Sequence, residues 1–295
     1  MAGALAIIYV VWGSTYLAIR VMVETVPPLL GAGVRFVLAG ALMYAWLRFQ
    51  RGLRGVTREE VLGCALVGVL LMFGGNGLVT VAERDVPSGL AALLIATVPL
   101  WIIVLRALWR EQARRLSALG VIAGFAGVAL LLAPGERPEG ASLAACLLVV
   151  LAAMCWAMGS FAGSRVRLPE DPLHATALQM LIGGAAMVVV AVPAGEPWAV
   201  DLGGVSGDSW IAFAYLVVVG SIVAFTAYAW LLRNVPISTV STYAYVNPVI
   251  AVFLGWAILS EPVSAITIAA TAIIVASVAV TMRQEGTARE AEPAA

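Results

Sequence analysis

The chain has 295 residues, 62% of them hydrophobic and only 12% charged, with a formal net charge of zero. Soluble globular proteins carry about 25% charged residues, so this chain lacks the polar surface to face water, and its solvent is lipid. All 17 basic residues are arginine, and once they are placed on loops no basic face is left for nucleic acid, which excludes that partner.

The opening Met1-Ala2-Gly3 lacks the positive stretch of a secretion signal, so the first apolar run reads as a retained span. Ten such runs follow in order, at 3–23, 29–49, 61–82, 86–108, 116–133, 142–164, 173–193, 209–232, 236–259 and 263–282. Each is long enough to cross about 30 Å of hydrocarbon as a helix rising about 1.5 Å per residue. After Met282 the chain turns polar and rich in Ala, Glu and Arg, and 283–295 reads as a disordered cytoplasmic tail.

In the first span Tyr9, Trp12 and Tyr16 share one face, and Trp156 holds the matching place in the sixth. Two readings stand for these rings: helix packing, or an apolar wall against a substrate with cation–π contact to an amine. In the second span Arg35 lies roughly 9–11 Å below the boundary, where a guanidinium must face protein or water. Either it binds a substrate carboxylate with its planar fork or it satisfies helix-end carbonyls.

Polar residues form two stripes: Asn76, Thr80 and Glu83 on the third span, and Thr239, Tyr243 and Asn247 on the ninth. In lipid a polar stripe turns inward, as interhelical glue or as ligand contacts. Pro248 leaves the carbonyl of Ala244 free beside Asn247, which suits a wet cavity. On the fifth span, Gly120, Gly124 and Gly127 suit close helix packing.

Arginine sets the orientation. Thirteen of them fall on one side of the ten spans (48, 51, 54, 58, 106, 110, 114, 115, 165, 167, 233, 283 and 289) and three on the other (20, 84 and 137). That bias places both termini in the cytoplasm. Along the chain, "DVPSGLAALLIATVPLW" from Asp85 matches "NVPISTVSTYAYVNPVIAVFLGW" from Asn234. Each opens with Val-Pro (Pro87, Pro236), carries a second proline twelve residues on (Pro99, Pro248), and is closed by a glutamate (Glu111, Glu261). Similarity at half length reads as duplication, with an N-terminal five-helix repeat over 1–134 and a C-terminal one over 135–282. Five spans is an odd number, so the halves lie inverted, and Pro99 and Pro248 reach the midplane from opposite faces as helix breaks. In the repeat, Gln179 falls opposite Arg35.

The ordered set "WGSTYLAIR", "VRFVLAG", "GNGLVTVAERDVPSGLAALLIATVPLW", "LQMLIGG" and "STYAYVNPVIAVFLGWAILSEP" resembles the EamA-type carriers of the drug/metabolite transporter superfamily, through all ten spans. The resemblance implies an all-α bundle of ten transmembrane helices, two inverted five-helix halves around a central cavity. It also implies export of amino acids or other small metabolites across the cytoplasmic (inner) membrane. The residues that would serve substrate binding are Trp12, Tyr16, Arg35, Asn76, Thr80, Trp156, Gln179, Tyr243 and Asn247, with Pro99 and Pro248 as hinges.

The alternatives are a polytopic membrane enzyme or a channel-like subunit. The single histidine, His174, has only Asp171 nearby in sequence and suits a helix start; there is no Walker sequence and no lysine. "GAGVRF" lacks the third glycine and acidic partner of a dinucleotide site, and Cys64, Cys146 and Cys155 have no ligand spacing, so no cofactor is expected. The expected partners are a small-molecule substrate and the bilayer, with a homo-oligomer left open. No carboxylate lies at mid-depth, Glu24, Glu83 and Asp85 falling at the outer boundary, so movement down the substrate's own gradient is expected.

Overall fold

A computed structural model describes residues 1–109, 115–133, 141–235, 237–240 and 242–290. Among them the chain is helical, with no strand. Seven helices are long and apolar enough to cross a membrane: α1 (Ala2–Met22), α2 (Pro28–Arg51), α3 (Arg58–Ala82), α4 (Ser88–Leu108), α6 (Leu143–Gly163), α7 (Pro172–Ala191) and α8 (Gly207–Leu231). Three helices with shorter apolar stretches follow in the order: α5 (Arg115–Leu131), α9 (Tyr243–Leu259) and α10 (Ala265–Glu290), the last apolar over Ala265–Thr281. The ends follow from local chemistry. Pro27-Pro28 and Pro87 start α2 and α4 where a missing N–H costs nothing. Thr57 and Glu60 form a capping box on α3, and Asp171 accepts from the Leu173 N–H to cap α7.

Two expected elements differ. The ninth expected span begins at 236, but its regular helix starts at Tyr243, after a separate turn over Ile237–Val240. Helix α10 runs to Glu290, so 283–290 is helical where the sequence suggests a disordered tail. Pro236 and Glu111 lie outside the described residues.

Most helix pairs follow a simple pattern, though α1–α4 packs without an α6–α9 counterpart of similar extent. Adding five to a helix number converts α1–α8 into α6–α3, α1–α9 into α6–α4, α2–α8 into α7–α3 and α4–α5 into α9–α10, and all of these pairs pack. The pairs α2–α7, α4–α9 and α5–α10 map onto themselves. Glycines make the seams close. A Cβ on Gly40 would come within 2.9 Å of the Ala177 carbonyl oxygen, and one on Gly184 within 2.9 Å of the Gly33 carbonyl oxygen. A Cβ on Gly120 would meet Thr281 on α10 at 2.2 Å. The outward faces carry large apolar side chains such as Leu42, Phe49, Ile122, Val189, Ile211 and Phe253. Water would penalise such a surface and lipid does not.

Candidate functional site

Helices α3 and α8 each contain a stretch wound more widely than an α-helix, at Val69–Gly77 and Leu216–Val223. Each wide turn leaves a carbonyl that a side chain five residues on satisfies. Asn76 Nδ2 donates to the Leu71 oxygen at 3.3 Å, and Ser221 Oγ donates to the Leu216 oxygen at 2.9 Å. Such π-type turns cluster at functional sites.

Arg35 comes to the second of them. Its helix start is fixed by Glu196, whose carboxylate accepts from the Leu29 and Leu30 N–H groups at 3.3 and 2.7 Å. From there the guanidinium reaches the interior, only 2% exposed. Nε donates to Ser221 Oγ at 3.0 Å, and the guanidinium carbon stands 4.5 Å from the ring centre of Phe36. Nη1 has no partner. Gly220 lies beside it, where a Cβ would stand in ordinary contact with Nη2, at 3.4 Å.

The aromatic candidates gather from separate helices. Trp12 on α1 contacts Phe225 and Tyr228 of α8 and Tyr243 of α9, with ring centres 5.4, 5.1 and 5.0 Å away. Trp12 and Trp156 both border the apolar cluster around Phe36, Met72, Met180 and Phe225. Trp156 presses on Gly75, where a Cβ would come within 2.6 Å of its ring. Tyr16 packs on a different cluster, formed mainly by α4 and α6.

The polar candidates serve the backbone. Thr80, fully buried, donates to the Asn76 carbonyl at 2.8 Å. Gln179 is buried on α7, its backbone against Gly68 of α3. The side chain of Asn247 meets the carbonyls of Tyr9 (3.1 Å) and Tyr243 (3.3 Å); these acceptors assign its amide nitrogen to that side, where it donates to both and ties α9 to α1. The Tyr9 hydroxyl bonds Thr242 beside it. Pro99 sits in the first turn of the second half of α4, after a break at Ala96–Thr97. Pro248 lies inside α9, whose helix runs through it.

Other candidates resolve simply. The His174 ring is buried and lies 5.6 Å from that of Tyr44, while Asp171 takes 3.0 Å contact from Arg233. None of the three cysteines forms a disulfide, and among the described residues no group of His, Cys, Asp or Glu could hold a metal ion. A shallow, open cleft of about 500 Å³ lies at the end of α9, lined by Trp256, Ser260, Glu261 and Val263.

Sequence reasoning missed two features. Ser221 was invisible because one serine in an apolar run carries no periodicity; its only signal is the Gly-Ser pair, set in the repeat near Gly75-Asn76. Glu83, expected at the outer boundary, is fully buried.

An all-helical bundle with lipid-compatible outer faces defines a multi-pass membrane protein. The chain belongs to the EamA-like transporter family, whose profile matches residues 1–133 and 143–283. It is 42% identical over 280 residues, 94% of this chain and 88% of the relative, to the uncharacterized inner membrane transporter YedA of Escherichia coli K12. It is 25% identical to the uncharacterized transporter YoaV of Bacillus subtilis, over 86% of this chain and 87% of that one. A crystal structure 22% identical in sequence shares the fold, with a TM-score of 0.64 over 96% of this chain and 98% of that one. The protein is therefore an inner-membrane transporter of the drug/metabolite type rather than an enzyme, with a small-molecule substrate.

Proposed function

We propose that the protein is a secondary carrier that exports small organic metabolites, amino acids or related compounds, by alternating access. The observation that carries this reading is Arg35, a buried guanidinium with one bonded nitrogen and an unpartnered Nη1. A carboxylate can take the remaining donors as a planar, charge-assisted pair. Trp12 and Trp156 border the same interior and would wall the apolar part of the substrate. Tyr16, Asn76, Thr80, Gln179, Tyr243 and Asn247 complete the lining as the halves move.

The halves, 1–134 and 135–282, are read as inverted five-helix repeats spanning the membrane ten times. The exchange pattern of the helix contacts supports this, as do the wide turns at matching places in α3 and α8. Pro99 and Pro248 would be the hinges, and the arginine bias favours cytoplasmic termini.

The test is thermal unfolding of the purified protein in the presence of a panel of amino acids and related carboxylates. A ligand that stabilises the wild type and not Arg35→Gln is expected. Equal stabilisation of both would remove the binding role of Arg35. Saturable counterflow in proteoliposomes then separates a carrier from a channel.

A further inference from the structure

Glu83 ends the last turn of α3, and its side chain is fully buried. Neither carboxyl oxygen has a hydrogen-bond partner. The adjacent cation is committed elsewhere: Arg20 Nη1 donates to the backbone carbonyls of Glu83 and Arg84, at 2.5 and 2.6 Å.

The ionisable groups that face Glu83 come from three other elements: Tyr16 and Arg20 on α1, Arg35 on α2, and Glu261 after α9. Arg84 and Asp85 follow it on its own strand of chain. Helix α6, packed along the same turn, brings no charge, and its only ionisable groups are the thiols of Cys146 and Cys155. Glu261 is itself engaged, accepting from the Ser88 and Gly89 N–H groups at 2.7 and 3.0 Å.

A carboxylate taken out of water without donors is far costlier than the neutral acid. In this conformation Glu83 therefore holds a proton. The charge of Arg35 acts on Glu83. With Glu83 neutral, Arg35 lacks that counter-charge and attracts an anionic ligand most strongly. With Glu83 ionised, its negative charge weakens that attraction.

We propose that Glu83 is the proton-binding site of this transporter, and that its proton crosses together with a substrate carboxylate held at Arg35. The step is an acid–base exchange alone: the Glu83 O–H bond forms with a proton from water on one face and dissociates to water on the other. It rests on the reading of Arg35 given above and replaces the sequence expectation of uncoupled movement.

Two measurements test it, the first without any substrate. Infrared titration of the purified protein in lipid vesicles should show a protonated carboxyl band persisting at neutral pH and lost in Glu83→Gln. Absence of that band in the wild type overturns the proposal, whatever happens at Arg35. The second uses proteoliposomes with labelled carboxylates from the panel. An imposed pH gradient should drive accumulation in the wild type and not in Glu83→Gln, and Glu83→Asp should restore it with a shifted pH profile. Accumulation by Glu83→Gln equal to wild type overturns coupling. If Glu83→Gln is inactive throughout, the profile of Glu83→Asp decides, because an unshifted profile also overturns it. A band that is present while no carboxylate is carried keeps the proton site and removes the reading of Arg35.

Discussion

The guanidinium of Arg35 on α2 donates through Nε to the hydroxyl of Ser221 on α8, 3.0 Å away, and that hydroxyl closes the wide turn by donating to Leu216. One side chain thus touches the wide turn in the other half of the protein. An arginine substrate clamp would be positioned by the turn, and occupancy of the clamp would be felt there.

Replacing Arg35 should separate stability from transport. A buried charge with an unpartnered nitrogen is not a stabilising feature, so Arg35→Met should unfold at a temperature equal to or above wild type. Transport should fall roughly 10–100-fold, the equivalent of about 1.5–3 kcal/mol for hydrogen bonds to a charged group. Arg35→Lys should fare little better, because an ammonium cannot reach Ser221 and a carboxylate together in one plane. Thermal unfolding together with transport assays checks both halves. A Met variant that melts far below wild type would make Arg35 structural.

The glycine seams give a second expectation. A Cβ on Gly183 would lie 2.4 Å from the Gly68 carbonyl oxygen, so α3 and α7 must part to admit it. Gly183→Ala should cost on the order of 1–3 kcal/mol, the range for overpacking. Gly3→Ala meets nothing within 4 Å and should be silent. Melting temperatures in one detergent compare the two directly.

Glu261 reaches across the halves to the start of α4, where its carboxylate meets two N–H groups and the positive end of the helix. Glu261→Ala should lower stability by about 1–2 kcal/mol, as loss of an N-cap does. Glu261→Gln should lose less, because one amide oxygen still accepts. Hydrogen exchange at Ser88 and Gly89 should quicken in the alanine variant and locate the loss there.

These cases show what was legible in the sequence. The apolar runs could be read because each depends on residues close together in the chain. Pro99 marked a break for the local reason that its ring displaces a turn, and α4 interrupts just before it. Pro248 carried the same mark, yet the interruption comes earlier, ahead of Tyr243, and α9 continues through the proline. Ser221 and the burial of Glu83 were illegible because both depend on which distant segment folds over them. Counting residues along α3 puts Glu83 at its end; only the packing of other helices, α6 and α2 among them, over that turn encloses it.

Asn247 supplies the sharpest contrast between a structural and a binding role. Its amide nitrogen faces two carbonyl oxygens, those of Tyr9 on α1 and Tyr243 on α9, and it is 7% exposed. The contact crosses from one half to the other, next to the bond between Tyr9 and Thr242. Asn247→Ala removes a donor shared by two helix carbonyls, at a cost of about 0.5–1.5 kcal/mol. Asn247→Asp should be worse than alanine at neutral pH, since an ionised carboxylate donates nothing and would face two further acceptors. A protonated aspartate can donate one bond, so the aspartate variant should recover stability as pH falls while the alanine variant does not. If alanine and aspartate melt alike with wild type and only transport suffers, the amide belongs to the substrate and not to the seam between α1 and α9.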